Sequence, residues 1–181
     1  MRKVVVYELT SLDGVAEDPD DFIANWDEAM EANLADVIGS QDAVILGRRS
    51  YSAWARFWPK SDIEPFASFI NGVAKHVATS TPLDADWQNA TVLQDGGLVP
   101  AVRALKAQSG GDIGVHASLS VARELLAAGA VDELRLVIAP RIAGGGRRLL
   151  DGLPGIALET LETEVSPTGS LLVRYRVLPT S

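Results

Sequence analysis

The chain has 181 residues, enough for one globular unit with a sizeable core, and 47% apolar with 22% charged residues is the balance of a folded domain. A net charge of −8 works against nucleic acid and anionic membrane as partners. Cysteine is absent, which excludes disulfides, thiol nucleophiles and cysteine–zinc sites, and no apolar run approaches the roughly 20 residues of a membrane span. Met1-Arg2-Lys3 leads directly into a strand pattern, so a cytoplasmic location is expected. No repeat or linker interrupts the chain, and residues 1–181 are read as one domain.

The β-branched run Lys3 to Leu9 predicts a first strand, closed by Thr10-Ser11-Leu12-Asp13-Gly14. Asp18-Pro19 has the form of a helix cap followed by proline at the first helical position, and Ile23, Trp26, Met30, Leu34 and Val37 recur at helical spacing until Gly39. Ala43 to Leu46 predicts a second strand. A helix through Ile63, Phe66, Phe69 and Ile70 follows, then strands at Lys75 to Thr79 and Thr91 to Leu93. Leu98, Val102 and Leu105 mark a helix closed by Gly110-Gly111, and Ile113 to Val115 is a short buried strand. Ser118 is placed to cap a helix through Ala128, with Gly129 after it. Leu134 to Ala139 is a further strand, apolar at almost every position and expected near a sheet edge, where a two-fold partner or the chain's own helices must cover it. Ile156 to Val165 and Leu171 to Val177 form a hairpin around Ser166-Pro167-Thr168-Gly169.

Strands alternating with helices predict an α/β fold, a mostly parallel central sheet covered on both faces, with the terminal hairpin antiparallel at one edge. Ligands in such sheets bind beyond the carboxyl ends of the strands. Three polar segments fall there. Gly47-Arg48-Arg49-Ser50 follows a strand, with glycine allowing close backbone approach and arginine supplying a planar fork of donors for phosphate. Thr79-Ser80-Thr81 ends another strand, and His116-Ala117-Ser118 opens the helix after a third.

In their order and spacing these stretches resemble the dihydrofolate-reductase-like superfamily, a three-layer α/β/α fold. Within it they resemble the reductase domain of riboflavin biosynthesis, the RibD C-terminal type, and its stand-alone relatives. The likeness is carried by Ser11-Leu12-Asp13-Gly14, Ile45 through Tyr51, Lys75 through Thr81, Gly110 through Leu134, Pro140 and Gly144 through Leu150, so it spans nearly the whole chain. It implies NADPH as cofactor and a homodimer. Gly47, Arg48, Arg49 and Ser50 would hold the 2′-phosphate and pyrophosphate. Thr79, Ser80 and Thr81 would flank the adenosine half, and His116, Ala117, Ser118 and Leu119 would let backbone approach the cofactor. The family commonly has glycine where Ala117 stands, and the extra methyl is expected to crowd that approach. The zinc-deaminase half of bifunctional riboflavin enzymes needs cysteine ligands, so this chain is at most the reductase half.

Reduction of a C=N or C=O bond needs a proton source. Asp27 falls within the apolar stripe of the first predicted helix, Glu31 lies one turn on, and the resemblance puts a substrate-orienting acid near this helix start. Asp13 is the third candidate, close to the expected nicotinamide. The plain alternatives are a salt bridge for Asp27 and an ordinary Asp-Gly turn for Asp13. His76 and His116 have no metal-spaced partners and read as structural, and no metal site is expected. Trp26, Trp54, Phe57 and Trp58 either pack or wall a flat-ring pocket. Gly144-Gly145-Gly146 reads as a flexible surface turn. The leading expectation is an NADPH-dependent reductase of a flat nitrogen heterocycle, resembling 5-amino-6-(5-phosphoribosylamino)uracil reductase. The alternatives are a dihydrofolate or pteridine reductase-like enzyme and a cofactor-binding protein without efficient catalysis.

Overall fold

The computed structural model describes residues 1–93 and 96–179. Thirteen elements are present: β1 (Val4–Thr10), α1 (Glu28–Gly39), β2 (Gln41–Gly47), α2 (Arg48–Phe57), α3 (Phe66–Gly72), β3 (Ala74–Ala78), β4 (Ala90–Val92), α4 (Leu98–Lys106), β5 (Asp112–His116), α5 (Leu119–Ala127), β6 (Glu133–Ile138), β7 (Leu158–Val165) and β8 (Leu171–Val177); all but α2 follow the predicted order, and α2 is a helix the predicted element order lacks. The strands form one sheet in the order β4-β3-β2-β5-β1-β6-β8-β7. Every neighbouring pair is parallel except β6 with β8 and β8 with β7.

The central strands read as continuous apolar runs because both sheet faces are buried. Val4, Val6, Ile45, Val115, Leu134 and Leu136 pack with Val102 and Leu105 of α4 and Leu119, Ala122 and Leu125 of α5. Tyr7, Val44, Leu46, Val77 and Val137 pack on the opposite face with Met30 and Leu34 of α1, Tyr51 of α2 and Phe66 and Ile70 of α3. Lys75, fully buried within β3, turns its Nζ back onto the Ile70 and Val73 carbonyls, each at 2.8 Å, and closes the end of α3. No helix among the described residues is long and apolar enough to cross a membrane.

Two expectations are corrected. The first helix begins at Glu28, ten residues after Asp18; Pro19–Asp21 is only a single 3-10 turn. Ile23 packs instead toward Val15, Phe22 and Ala139, and Trp26 is 41% exposed, so their helical spacing is coincidental. The second concerns β6, read as an apolar strand near an edge in need of a partner's cover. It is an internal strand between β1 and β8, and the chain's own two layers bury Leu134, Leu136, Val137, Leu172 and Val173.

Candidate active site

The carboxyl ends of β2, β3 and β5 bring the three polar segments to one rim. Gly47 ends β2 in extended conformation and is the N-cap of α2, so Arg48, Arg49 and Ser50 form that helix's first turn. β5 is the neighbour of β2, and α5 starts three residues after β5 ends. Two bonds tie the segments together: the Gly47 amide donates to Ser118 Oγ at 3.0 Å, and Ser50 Oγ donates to the Ala117 carbonyl at 3.0 Å. On the other side of β2, Gly47 pairs with Ala78, which sets Thr79 at the same edge. There the Thr81 amide donates to Thr79 Oγ1 at 3.2 Å and folds the segment into a small turn.

Ser118 occupies the N-cap position of α5 as expected, but its hydroxyl does not cap its own helix. It is spent on Gly47. Neither the N-cap residue of α2 nor that of α5 makes a side-chain cap, and among the described residues no side chain claims their first-turn N–H groups. Two helix N-termini, the exposed Arg48 and Arg49, and the hydroxyls of Ser50, Thr79, Ser80 and Thr81 therefore share one rim, a donor set that fits phosphate. Ala117 has φ +52°, the left-handed conformation in which a Cβ costs about 1 kcal/mol. Strain of this kind is held in place by surrounding structure and clusters at functional sites. Leu119 turns its side chain into the α4–α5 core, leaving only its backbone at the rim.

His116 likewise contributes backbone alone. Its ring is 3% exposed, lies among Tyr7, Phe66 and Phe69, and has Nε2 2.8 Å from Gln41 Oε1. Burial lowers its pKa to about 3, so it is neutral. Trp54 and Trp58 pack edge-on with each other and with Phe66, whereas Phe57 is exposed.

Of the three candidate acids, Asp13 and Asp27 are held ionised by hydrogen bonds and Glu31 is exposed on α1. Asp13 Oδ1 accepts from Ser11 Oγ at 2.6 Å and from the Ala143 amide at 2.8 Å, and Oδ2 accepts from the Gly144 amide at 2.9 Å. The hydrogen bond from Ser11, joined by those from Ala143 and Gly144, holds its carboxyl well below the usual carboxylate range. Asp13 thus pins the loop after β1 to the glycine-rich segment, which is docked rather than loose: Val15 and Arg148 form a bridge, and the Leu12 amide donates to the Arg141 carbonyl. Asp27 lies outside the helix and not on an apolar stripe. It is the N-cap of α1, accepting from the Met30 amide at 3.0 Å, and its Oδ2 accepts from Thr168 Oγ1 at 2.6 Å in the β7–β8 turn. Burial works against its charge, but the bonds from Thr168 and Met30 outweigh it and keep the carboxyl strongly acidic. Glu31 is exposed in the first turn of α1, where a negative charge suits the helix dipole.

Asp27 therefore carries a prediction of two parts. Asp27→Ala is expected to lower the melting temperature by a few degrees, because the cap and the Thr168 tie are both lost. Asp27→Asn, which also caps helices well, should leave folding close to wild type; thermal unfolding of the two variants checks this. A loss of turnover in the Asn variant at unchanged stability would assign Asp27 a proton-handling role.

Residue-by-residue reading overlooked Glu8. It sits in β1 at 4% exposure, with Oε1 buried and without a hydrogen-bond partner among the described residues. Burial raises its pKa to about 8, a backbone hydrogen bond from Ala117 acting in the other direction. The sequence signal was a single carboxylate inside the apolar run Val4 to Leu9.

A mostly parallel sheet in this strand order, with a donor-rich rim at its carboxyl edge, defines a dihydrofolate-reductase-like α/β protein. The family model for the RibD C-terminal domain matches residues 2–172, and the chain belongs to that reductase family. Protein YyaP of Bacillus subtilis is 24% identical over 179 residues, covering 96% of this chain and 94% of its own. The crystal structure of a Shewanella sp. PV-4 protein named for riboflavin biosynthesis superposes with a TM-score of 0.79 at 18% identity, covering 98% of this chain and 99% of that one. Dihydrofolate reductase from Enterococcus faecalis, solved with NADP(H), has a TM-score of 0.62 at 14% identity and covers 97% and 94%.

Proposed function

We propose that this protein is an NADPH-dependent reductase of a flat nitrogen heterocycle, with a 5-amino-6-(5-phosphoribosylamino)uracil-type pyrimidine as first substrate and a dihydropterin as second. The observation that carries the reading is the meeting of Gly47–Ser50 with Ala117–Leu119, where two uncapped helix N-termini and two exposed arginines face the same rim. When bound, the nicotinamide cofactor supplies the hydride. The chain's own residues do the rest: Arg48 and Arg49 hold the 2′-phosphate and pyrophosphate, Ser50 and the first-turn amides of α2 and α5 donate to phosphate oxygens, and Thr79, Ser80 and Thr81 flank the adenosine. The small-molecule site, the absence of nucleic-acid and membrane partners, and a cytoplasmic location belong to the same reading; a net charge of −8 supports it.

Quenching of tryptophan fluorescence by NADPH, followed by loss of NADPH absorbance with each heterocycle, tests the proposal. Saturable binding with turnover of a pyrimidine or pterin is expected. Saturable binding with no turnover would favour a cofactor-binding protein, the reading that the strained Ala117 supports. A homodimer is also proposed. Exposed Leu158 and Val165 on the outer strand β7 offer an apolar contact, although Glu159, Glu162 and Glu164 on that strand oppose simple edge pairing. Light scattering across a dilution series should give twice 19.2 kDa; a constant mass of 19.2 kDa overturns the dimer.

A further inference from the structure

Glu8 is the one charged residue type on a face of β1 that otherwise presents Val4 and Val6 to α4 and α5. Its register partner in β6 is Leu136. On the β5 side, Tyr7 pairs with His116, so the next residue along, Ala117, comes beside Glu8, and its backbone hydrogen-bonds the carboxyl. That is the same residue whose carbonyl accepts from Ser50 and whose neighbour Ser118 holds Gly47. Ala16 and Leu149, from the loops that Asp13 pins together, pack in the same apolar layer. The charged and titratable neighbours Tyr7, His116 and Arg135 belong to the opposite face, by strand alternation. A buried carboxyl with an unused oxygen is costly, and an ionised one far more so. A leucine would fill this apolar position without that cost, so the hydrogen-bonding capacity itself needs a use.

We propose that Glu8, as a neutral carboxylic acid, is a ring-recognition residue of the candidate site, pairing its O–H and C=O with an amide edge of the bound ring. An amide edge places an N–H beside a C=O, and a protonated carboxyl is its two-point complement. The nicotinamide carboxamide and the lactam edge of a pyrimidine both present it. The inference rests on the reductase reading for the ligand's identity, and Glu8 belongs to none of the three polar segments.

The test is infrared difference spectroscopy of the full chain against Glu8→Gln, with NADPH and 5,6-diaminouracil added separately and cofactor binding followed in parallel by tryptophan fluorescence. The expected result is a carboxylic-acid C=O band at neutral pH, absent in Glu8→Gln, that shifts when one ligand binds; which ligand shifts it identifies the source of the amide edge. Glu8→Gln keeps one donor and one acceptor and should bind that ligand nearly as wild type does, whereas Glu8→Leu, suited to the apolar layer, should lose roughly tenfold or more in affinity. Saturable NADPH binding with a band that moves for neither ligand overturns the role of Glu8 and leaves the reductase reading standing. A shift with the pyrimidine alone, and no NADPH binding, supports Glu8 and overturns the cofactor assignment. An absent band at neutral pH overturns the proposal outright.

Discussion

Glu133→Gln is expected to cost about 3 kcal/mol of stability at neutral pH and almost nothing near pH 2. The Glu133 side chain, 6% exposed at the start of β6, gathers three cations: Lys3 Nζ at 2.8 Å, Arg174 Nε at 2.9 Å and Arg135 Nε at 3.4 Å. Burial raises its pKa, but the hydrogen bonds from Arg174 and Lys3 more than offset this and leave it at about 2, below the ordinary 4.5. A carboxyl whose pKa falls on folding stabilises the native state above its unfolded value. That stabilisation is whole above about pH 4.5 and is lost as pH falls toward 2. Removing the charge also leaves Arg135, itself buried, with Asp36 alone. Urea unfolding of wild type and variant from pH 7 down to pH 2 checks the prediction; a gap that stays constant with pH would show that packing, not charge, is what Glu133 contributes.

The second large effect is on cofactor choice. Arg48→Ala is expected to weaken NADPH roughly tenfold to hundredfold, the value of a charge-assisted contact, while NADH binding changes far less. Arg48 is the first residue of α2 and is exposed beside the unclaimed amides of that turn. Among the described residues its head group makes no hydrogen bond or ion pair, so the variant should unfold at the wild-type temperature. Parallel titrations with both cofactors decide the matter. An equal loss for the two would mean that Arg48 does not read the 2′-phosphate and would shift that role to Arg49.

Much of the architecture is legible in the amino-acid sequence. Unbroken apolar strand runs implied a sheet buried on both faces, and their alternation with helical periods implied parallel pairing. The polar turn that ends the strand at Gly47 and the segment at Ala117–Ser118 were legible as well, because turn chemistry is local; the helix α2 that follows Gly47 was not part of the predicted order. The start of α1 was not. Ile23 and Trp26 keep helical spacing by chance, and the signal that decides the boundary is Asp27 bonding Met30 three residues on and Thr168 far along the chain.

By itself, then, the sequence determined the strands and their order, the helices other than α2 and the start of α1, and the chemical character of the carboxyl-edge rim, since each depends on neighbours within a turn or two. The tertiary structure decided what individual polar atoms do. Ser118 looks like a helix cap, yet its hydroxyl serves an amide 71 positions away. Asp27 looks like an inward-facing acid, yet it ties a helix start to a turn 141 positions away. Glu8 looks like an ordinary strand carboxylate, but two helices and the loops joined through Asp13 remove it from water and shift it toward the neutral form. Hydrogen-bond partners and protonation states depend on which distant groups packing brings together and how completely it excludes solvent, and neither is encoded in local spacing.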